Sequence, residues 1–284
     1  MATPQVDVQA KVAFASSIAI QAQQTESKLQ ATVDFESLEG EKKFFDDYGS
    51  VSLVERTVRS QEVTYQEVPR GRRMITPQRF EYAEIFEPGI DDIRLMRSVA
   101  PDSALTKVIN NAFNRKKDET IITAFDGTAY SGKNGTTAVV WGTDEGTDVA
   151  VGGALQSSHL ITTRETLLTA DVEGPFTFAC HPSVISDLLV DTNVTSADYN
   201  VVRTLVTGEV DSFMGFRFVT STLLTTSTAF AYASDSTVFG MDGNVEVSID
   251  RIPERGNSTQ ILVLATMAAT RRFGNKIVRL TGIA

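Results

Sequence analysis

The clearest feature along the chain is a change of hydrophobic period. Between residues 102 and 125, Leu105, Val108, Ile109, Ala112, Phe113, Ile122 and Phe125 recur at three- and four-residue spacing, which places them on one face of a helix. Asp102, after Pro101, is the expected N-cap, and Gly127 the expected stop. At about 1.5 Å per residue such a helix spans roughly 35 Å. Arg115, Lys116 and Lys117 fall on its polar side. Further helices are expected over 154–171 and over 182–190, where Pro182 suits a first helical turn. Another is expected to start at Thr195-Ser-Ala-Asp198, a capping-box-like sequence.

Elsewhere the period drops to two. Residues 175–180 alternate Phe176, Phe178 and Cys180, and from Gly215 onward the pattern is mostly β. Strands are expected at 216–221, 229–233, 245–249, 260–268 and 277–280. Asp242-Gly-Asn244 reads as the turn of a hairpin between Val238-Phe239 and Val245. Helices packed on a mainly antiparallel sheet define an α+β chain.

The first third is different. Residues 1–35 are poor in charge and rich in Ala, Gln, Ser and Thr, so they are expected to form an extended arm ordered only by a partner. Residues 36–86 open acidic (Glu36, Glu39, Glu41, Asp46, Asp47) and close basic (Arg70, Arg72, Arg73, Arg79). β-Branched residues interleave with Glu, Arg and Gln over 51–68, and Arg79-Phe80-Glu81-Tyr82 alternates. A long two-stranded projection fits, and an isolated hairpin needs something to lie on. Its opposite charges can pair within the hairpin or with another subunit.

Composition narrows the function. The 284 residues are 42% hydrophobic and 22% charged with a net charge of −10, ordinary for a globular chain and unsuited to phosphate-driven nucleic-acid binding. The balance is uneven: residues 251–284 carry Arg251, Arg255, Arg271, Arg272, Lys276 and Arg279 against Glu254 alone. The expected role of these basic groups is to solvate the open face of a strand pattern, the alternative being a subunit or nucleic-acid contact. Cys180 is the only cysteine, so the chain forms no internal disulfide and needs no oxidising compartment. The run over 12–20 is preceded by Lys11 alone and followed by Gln-rich sequence, which argues against a signal peptide. No apolar run reaches the ~18 residues of a membrane span. A cytoplasmic site of synthesis is expected, where the glycosylation-like triplets at Asn134, Asn193 and Asn257 carry no meaning.

Candidate chemistry is sparse. Gly127 to Lys133 matches GxxxxGK, but Asn134 replaces the Mg²⁺-binding Ser/Thr, a helix precedes it, and a polar loop follows. A flexible turn with an exposed Lys133 is the plainer reading, and a nucleotide-binding enzyme using Lys133 the alternative. His159 and His181 are the only histidines. His181 and Cys180 are adjacent, and neighbouring strand residues point to opposite faces, so a nucleophile pair is disfavoured. His181 is expected at a strand end or helix cap, and His159 on a helix flank. Asp46-Asp47, Asp91-Asp92 and Asp118-Glu119 read as solvated or helix-end charges. No catalytic, cofactor-binding or metal residue is assigned, and no cofactor is expected.

The order of elements, with several segments, resembles the Hong Kong 97-type major capsid protein of tailed phages. Phe125-Asp-Gly-Thr-Ala-Tyr130 is similar to the glycine turn after that family's spine helix. FTFACHPSVISDLL at 176–189 resembles its strand–Pro–helix segment, and GEVDSFMGFRFVTST at 208–222 the stretch leading to a central strand. Residues 239–249 and 259–283 resemble its closing strands, including Ala-Thr-Arg-Arg at 269–272. The resemblance implies an N-arm at 1–35, an E-loop at 36–86, a P-domain from 87–173 with 254–284, and an A-domain at 174–253. It implies self-assembly into hexamers and pentamers that form an icosahedral shell around double-stranded DNA, without sequence-specific binding and without a membrane. No large scaffolding region precedes the short arm, so a separate scaffolding protein is expected, with a portal and a decoration protein. The alternative of the same fold is an encapsulin-like compartment.

Overall fold

The computed structural model describes residues 24–59, 62–63, 65–86, 104–190 and 212–284. Fourteen strands fall in these residues: Asp34–Ser37 (β1), Lys43–Tyr48 (β2), Arg70–Ile75 (β3), Gln78–Phe86 (β4), Ala129–Ser131 (β5), Thr137–Val139 (β6), Thr147–Gly153 (β7), Phe176–Cys180 (β8), Ser212–Phe213 (β9), Phe216–Thr220 (β10), Thr228–Ala233 (β11), Thr237–Ile252 (β12), Ser258–Arg271 (β13) and Ile277–Ile283 (β14). The helices are Ala104–Asp126 (α1), Ser157–Thr169 (α2) and Pro182–Val190 (α3). The strands make three sheets in the orders β7-β14-β11-β8-β10-β9, β1-β12-β13-β4 and β2-β3-β5-β6. Most pairings are antiparallel; β1–β12, β8–β10 and β7–β14 are parallel.

The six-stranded sheet is covered on both faces, which explains why β8 is buried at every position. Phe176, Phe178 and Cys180 face Leu160, Leu167, Val184 and Leu188 from α2 and α3. Ala179 faces the other way, toward Ile121 and Phe125 of α1. Size alternates across the β8–β11 ladder: Phe178 pairs with Ala231, Phe176 with Ala233, and Ala179 with Phe230. Large opposite small fills each layer without voids.

The long helix forms where the sequence pattern places it, and Phe113 and Phe125 are buried as expected with Ile109 and Ile122 packed against the same core, but the stripe also takes in residues the pattern omits. Val108 is 38% exposed, while Asn111, Asp118, Ile121 and Phe125 are buried. Two polar side chains on the buried stripe hide it from a hydrophobicity count. Asp118 is fully buried and accepts from the Gln24 side chain, from Ser27 Oγ (2.6 Å), and from the backbone N–H of Lys28 (3.0 Å) and Leu29 (3.1 Å). Residues 24–35 are therefore well anchored, contrary to the loose arm expected. Leu29 and Val33 enter the core, Thr32 Oγ1 lies 2.6 Å from Tyr232 Oη, and β1 pairs with β12. Residues 1–23, Asp91-Asp92, the Asp102 cap and the Thr195 helix start lie outside the described residues.

Asp118→Ala leaves these donors without an acceptor in the interior, at about 1–3 kcal/mol for each group left unsatisfied. The expected result is a loss of stability of at least that order, read as a lower denaturant midpoint, with new proteolytic cleavage near residue 30. Unchanged cleavage would show that other contacts hold this segment.

Two expectations about strands are corrected. Asp242-Gly243-Asn244 is not a hairpin turn: β12 runs on to Ile252, pairing with β13 from Thr237↔Arg271 to Ile252↔Ser258, with a register irregularity between Asp242 and Glu246. Gly243 at φ 62° absorbs the irregularity. The fourteen residues of β13, paired also to β4, satisfy the backbone better than a local turn would. The hairpin over 36–86 is likewise shorter than expected. β2 and β3 pair from Lys43↔Ile75 to Tyr48↔Arg70, while the alternating residues 79–82 belong to β4 in another sheet.

Candidate functional site

The basic C-terminal segment was expected to solvate an open face; Arg251 and Arg255 are exposed, but Arg271 is buried and Arg272, Lys276 and Arg279 are partly buried. β13 ends at the point where the end of α1, β3, β6 and the loop before β7 converge, and Arg271 there is 0% exposed. It donates from Nη1 to the carbonyls of Phe125 (3.0 Å) and Gly127 (2.9 Å), and from Nη2 to Val139 O (3.1 Å). Its guanidinium lies 5.1 Å from the Trp141 ring centroid, and its Nε 3.7 Å from Glu145 Oε2. Burial first, then neighbouring Arg73, lowers its pKa to about 10, still far enough above neutrality to keep it charged. Arg73 donates to Glu145 and, through Nε, to Arg272 O (3.1 Å). Arg272 pairs with Asp47 at 2.7 Å. Gly146, at φ 92°, leaves room for Trp141: a Cβ there would meet the indole at 2.6 Å. The cluster ties the hairpin base to α1 and β13.

Arg279 extends this network to the edge of the six-stranded sheet. It holds Asp148 on β7 with two bonds of 3.0 and 2.6 Å, and Asp126 at 3.1 Å. Burial works to raise the Asp148 pKa, but hydrogen bonds from Arg279 and Trp141 outweigh it and hold the carboxyl below its usual range. A carboxylate depressed in the folded state stabilises the fold above its unfolded pKa of about 4, and that stability is lost as pH falls through the lower folded value. Acid below about pH 4 is therefore expected to weaken the fold partly through this group. Asp148→Asn removes that part of the acid limb, visible as a flatter plot of denaturant midpoint against pH. Superimposable plots for the two proteins would contradict it.

One further pair of hairpin charges is satisfied within the chain. Asp46 accepts from Arg72 across the β2–β3 ladder, leaving Arg70 and Arg79 exposed. What the hairpin does not satisfy is its apolar surface. Gly49 N donates to Pro69 O (2.7 Å) at the neck, and no strand is assigned among the described residues between them. Leu53 is 98% and Tyr65 92% exposed, and Val51, Val54, Val58 and Val63 are each more than half exposed. Burying one such side chain contributes about 1.5–3 kcal/mol. A stretch of this size in water marks a binding surface.

The chemical candidates disperse. Gly132 and Lys133 lie in the turn between β5 and β6, a hairpin with no helix N-terminus to receive phosphate. Cys180 is buried and its thiol is pushed up to about 12 by burial, so it carries no thiolate. His181 Nδ1 lies 2.8 Å from Ser183 Oγ at the start of α3, and His159 accepts from Gln156 N (3.1 Å) at the start of α2. Both histidines therefore act as helix-end residues. Among the described residues no three His, Cys, Asp or Glu side chains are grouped to hold a metal, and no helix is long and apolar enough to cross a membrane. No local pattern marks a buried charge, so the roles of Asp118 and Arg271 were not legible in the sequence.

The arrangement is thus a rigid frame presenting an unsatisfied apolar surface, which defines a protein that works by association. Comparison with known proteins gives the kind. The profile of the family described as phage capsid protein matches residues 6–283. The capsid of the cyanophage P-SCSP1u superposes with a TM-score of 0.71 at 12% identity, covering 95% of this chain and 91% of that one. The structure of Mycobacterium phage Che8 gives 0.70 at 13% identity, covering 93% and 94%. The capsid of a native GTA particle gives 0.66 at 14% identity, covering 95% and 94%. No curated protein matches by sequence. The chain belongs to the phage capsid protein family, with the Hong Kong 97-type capsid fold. It is a major capsid protein, a structural subunit of a phage head shell.

Proposed function

We propose that this subunit assembles into hexamers and pentamers that close into an icosahedral shell around the double-stranded DNA of a tailed phage. The observation that carries the reading is the exposed apolar stretch between β2 and β3, led by Leu53 and Tyr65. It is a liability in a monomer and an interface in a shell, where each subunit buries area on its neighbours. In the corresponding division of the chain, residues 1–35 are the N-arm and 36–86 the E-loop. Residues 87–173 with 254–284 form the P-domain around α1, and 174–253 the A-domain at the capsomer axis. Assembly takes place in the host cytoplasm with a separate scaffolding protein and a portal, and a decoration protein joins the finished shell.

The net charge of −10 suits a container for DNA, since a wall that attracts phosphate strongly hinders packing and ejection. The test is nuclease treatment of particles from infected cells, followed by extraction. Protected genome-length DNA is expected, together with weak, salt-sensitive binding of DNA by empty shells. Particles enclosing a cargo protein and no DNA would support the encapsulin-like alternative, and tight salt-insensitive DNA binding would sink the acidic-wall argument.

A further inference from the structure

The chain has two histidines, His159 and His181, and both do the same work at the start of a helix. His181 precedes Pro182, which has no N–H to offer. The next two donors of α3 both end on His181: Ser183 N donates to its Nδ1 (3.3 Å) and Val184 N to its carbonyl (3.0 Å). Ser183 Oγ also lies 2.8 Å from Nδ1. At α2, Gln156 N donates to His159 Nδ1 (3.1 Å), and His159 N donates back to the Gln156 carbonyl (3.1 Å). The side chains of the two residues complete a capping box.

A backbone N–H can only donate, so each Nδ1 is an acceptor and each ring is neutral with its proton on Nε2. Imidazole is the side chain that gains charge as pH falls between about 8 and 5. A proton on Nδ1 turns the acceptor into a donor that faces another donor. It also places positive charge at a helix N-terminus, where the free N–H groups already make the positive end. Neither first turn holds an acidic residue to offset it.

The surrounding elements offer little compensation. α2 packs against β7 and β14, whose charged residues, Asp148 and Arg279, are bonded to each other. Around α3, strands β8, β9 and β11 carry no charged residue and β10 carries Arg217 alone. The helices themselves carry Arg164 and Glu165 on α2 and Asp187 on α3, all beyond the first turn. Both helices cover one face of the six-stranded sheet, with Leu160, Leu167, Val184 and Leu188 set on Phe176 and Phe178. α1, on the opposite face, contains no histidine.

We propose that His159 and His181 form a pH-sensitive device: protonation at Nδ1 in mild acid uncaps α2 and α3 together and loosens the layer they make over the sheet. The inference goes beyond the shell reading and stands or falls without it. The device acts well above the range in which Asp148 is lost, so the two acid effects separate on a pH scale.

Hydrogen exchange tests this, on the unmodified protein and on the double variant His159→Gln with His181→Asn, each kept in one assembly state at about pH 7.5 and about pH 5.5. Rates are corrected for the intrinsic pH dependence of amide exchange. Gln in the first turn and Asn at the cap accept the same bonds without titrating. In the unmodified protein, protection over 157–169 and 182–190 is expected to fall roughly fivefold or more at the lower pH, while residues 118–126 of α1 hold theirs. The double variant is expected to keep the same protection at both pH values. An unmodified protein with no change in α2 and α3 would overturn the inference. So would a double variant that loosens as much as the unmodified protein, since other groups would then carry the effect. Should the double variant not fold, the single variants serve: each should remove the response of its own helix, and a response surviving in that helix would overturn the inference.

Discussion

Replacing Arg271 by methionine is expected to be among the most damaging single substitutions in this chain. Methionine keeps the length and apolar bulk, so packing is largely conserved. What is lost is a fully buried cation that joins Phe125 O, Gly127 O and Val139 O and lies beside Glu145. Carbonyls left unpaired in the interior cost about 1–3 kcal/mol each, and breaking a buried charge cluster costs about 3–5 kcal/mol. The expected loss is at the upper end of that second range. Lysine is a poor substitute, because a single ammonium cannot span three carbonyls held in a planar fork. Arg255→Met on the exposed turn before β13 is the control, expected to lie within about 0.5 kcal/mol of the unmodified protein. Equal denaturant midpoints for the two variants would show that the Arg271 cluster does not hold the fold.

The second large effect is expected on assembly alone. Gly49 N and Pro69 O are hydrogen-bonded at 2.7 Å, so the intervening residues can be removed and the chain closed with a two-residue Asn-Gly turn. Among the described residues, the deleted stretch contributes no side chain to the buried cores. Folding stability should therefore move by less than about 1 kcal/mol. Closed particles should disappear, because each subunit loses several side chains worth about 1.5–3 kcal/mol apiece when buried on a neighbour. Leu53→Asp with Tyr65→Asp should act in the same direction without shortening the chain. A deletion variant that still forms normal particles would remove the exposed stretch from the interface. One that unfolds would show that the stretch supports its own subunit.

Elements with strong local chemistry were legible in the sequence. The strand–Pro182–helix unit formed as read, because the proline fixes the helix start and β8 alternates cleanly. The long helix also formed over nearly the expected span. Its buried face carries Phe113 and Phe125 as read, but Asn111 and Asp118 lie on it too, and the partners of Asp118 are distant in sequence, at residues 24–29. The basic C-terminal residues were misread for the same reason, since Arg271, Arg272 and Arg279 find their partners at positions 125–148 and 47. Asp242-Gly243-Asn244 has genuine turn chemistry, which a long ladder with β13 overrides. The stretch over 51–68, exposed at its described residues, was read as strand from its composition. That composition suits a strand that this subunit alone does not complete.

The central claim is that this chain builds a shell, and electron microscopy of the concentrated protein, with sedimentation to weigh what is seen, tests it most directly. The account predicts rings of five or six subunits, or closed shells, formed by the protein alone or with its scaffolding protein supplied. A stable monomer that persists with both scaffolding protein and portal present would contradict it.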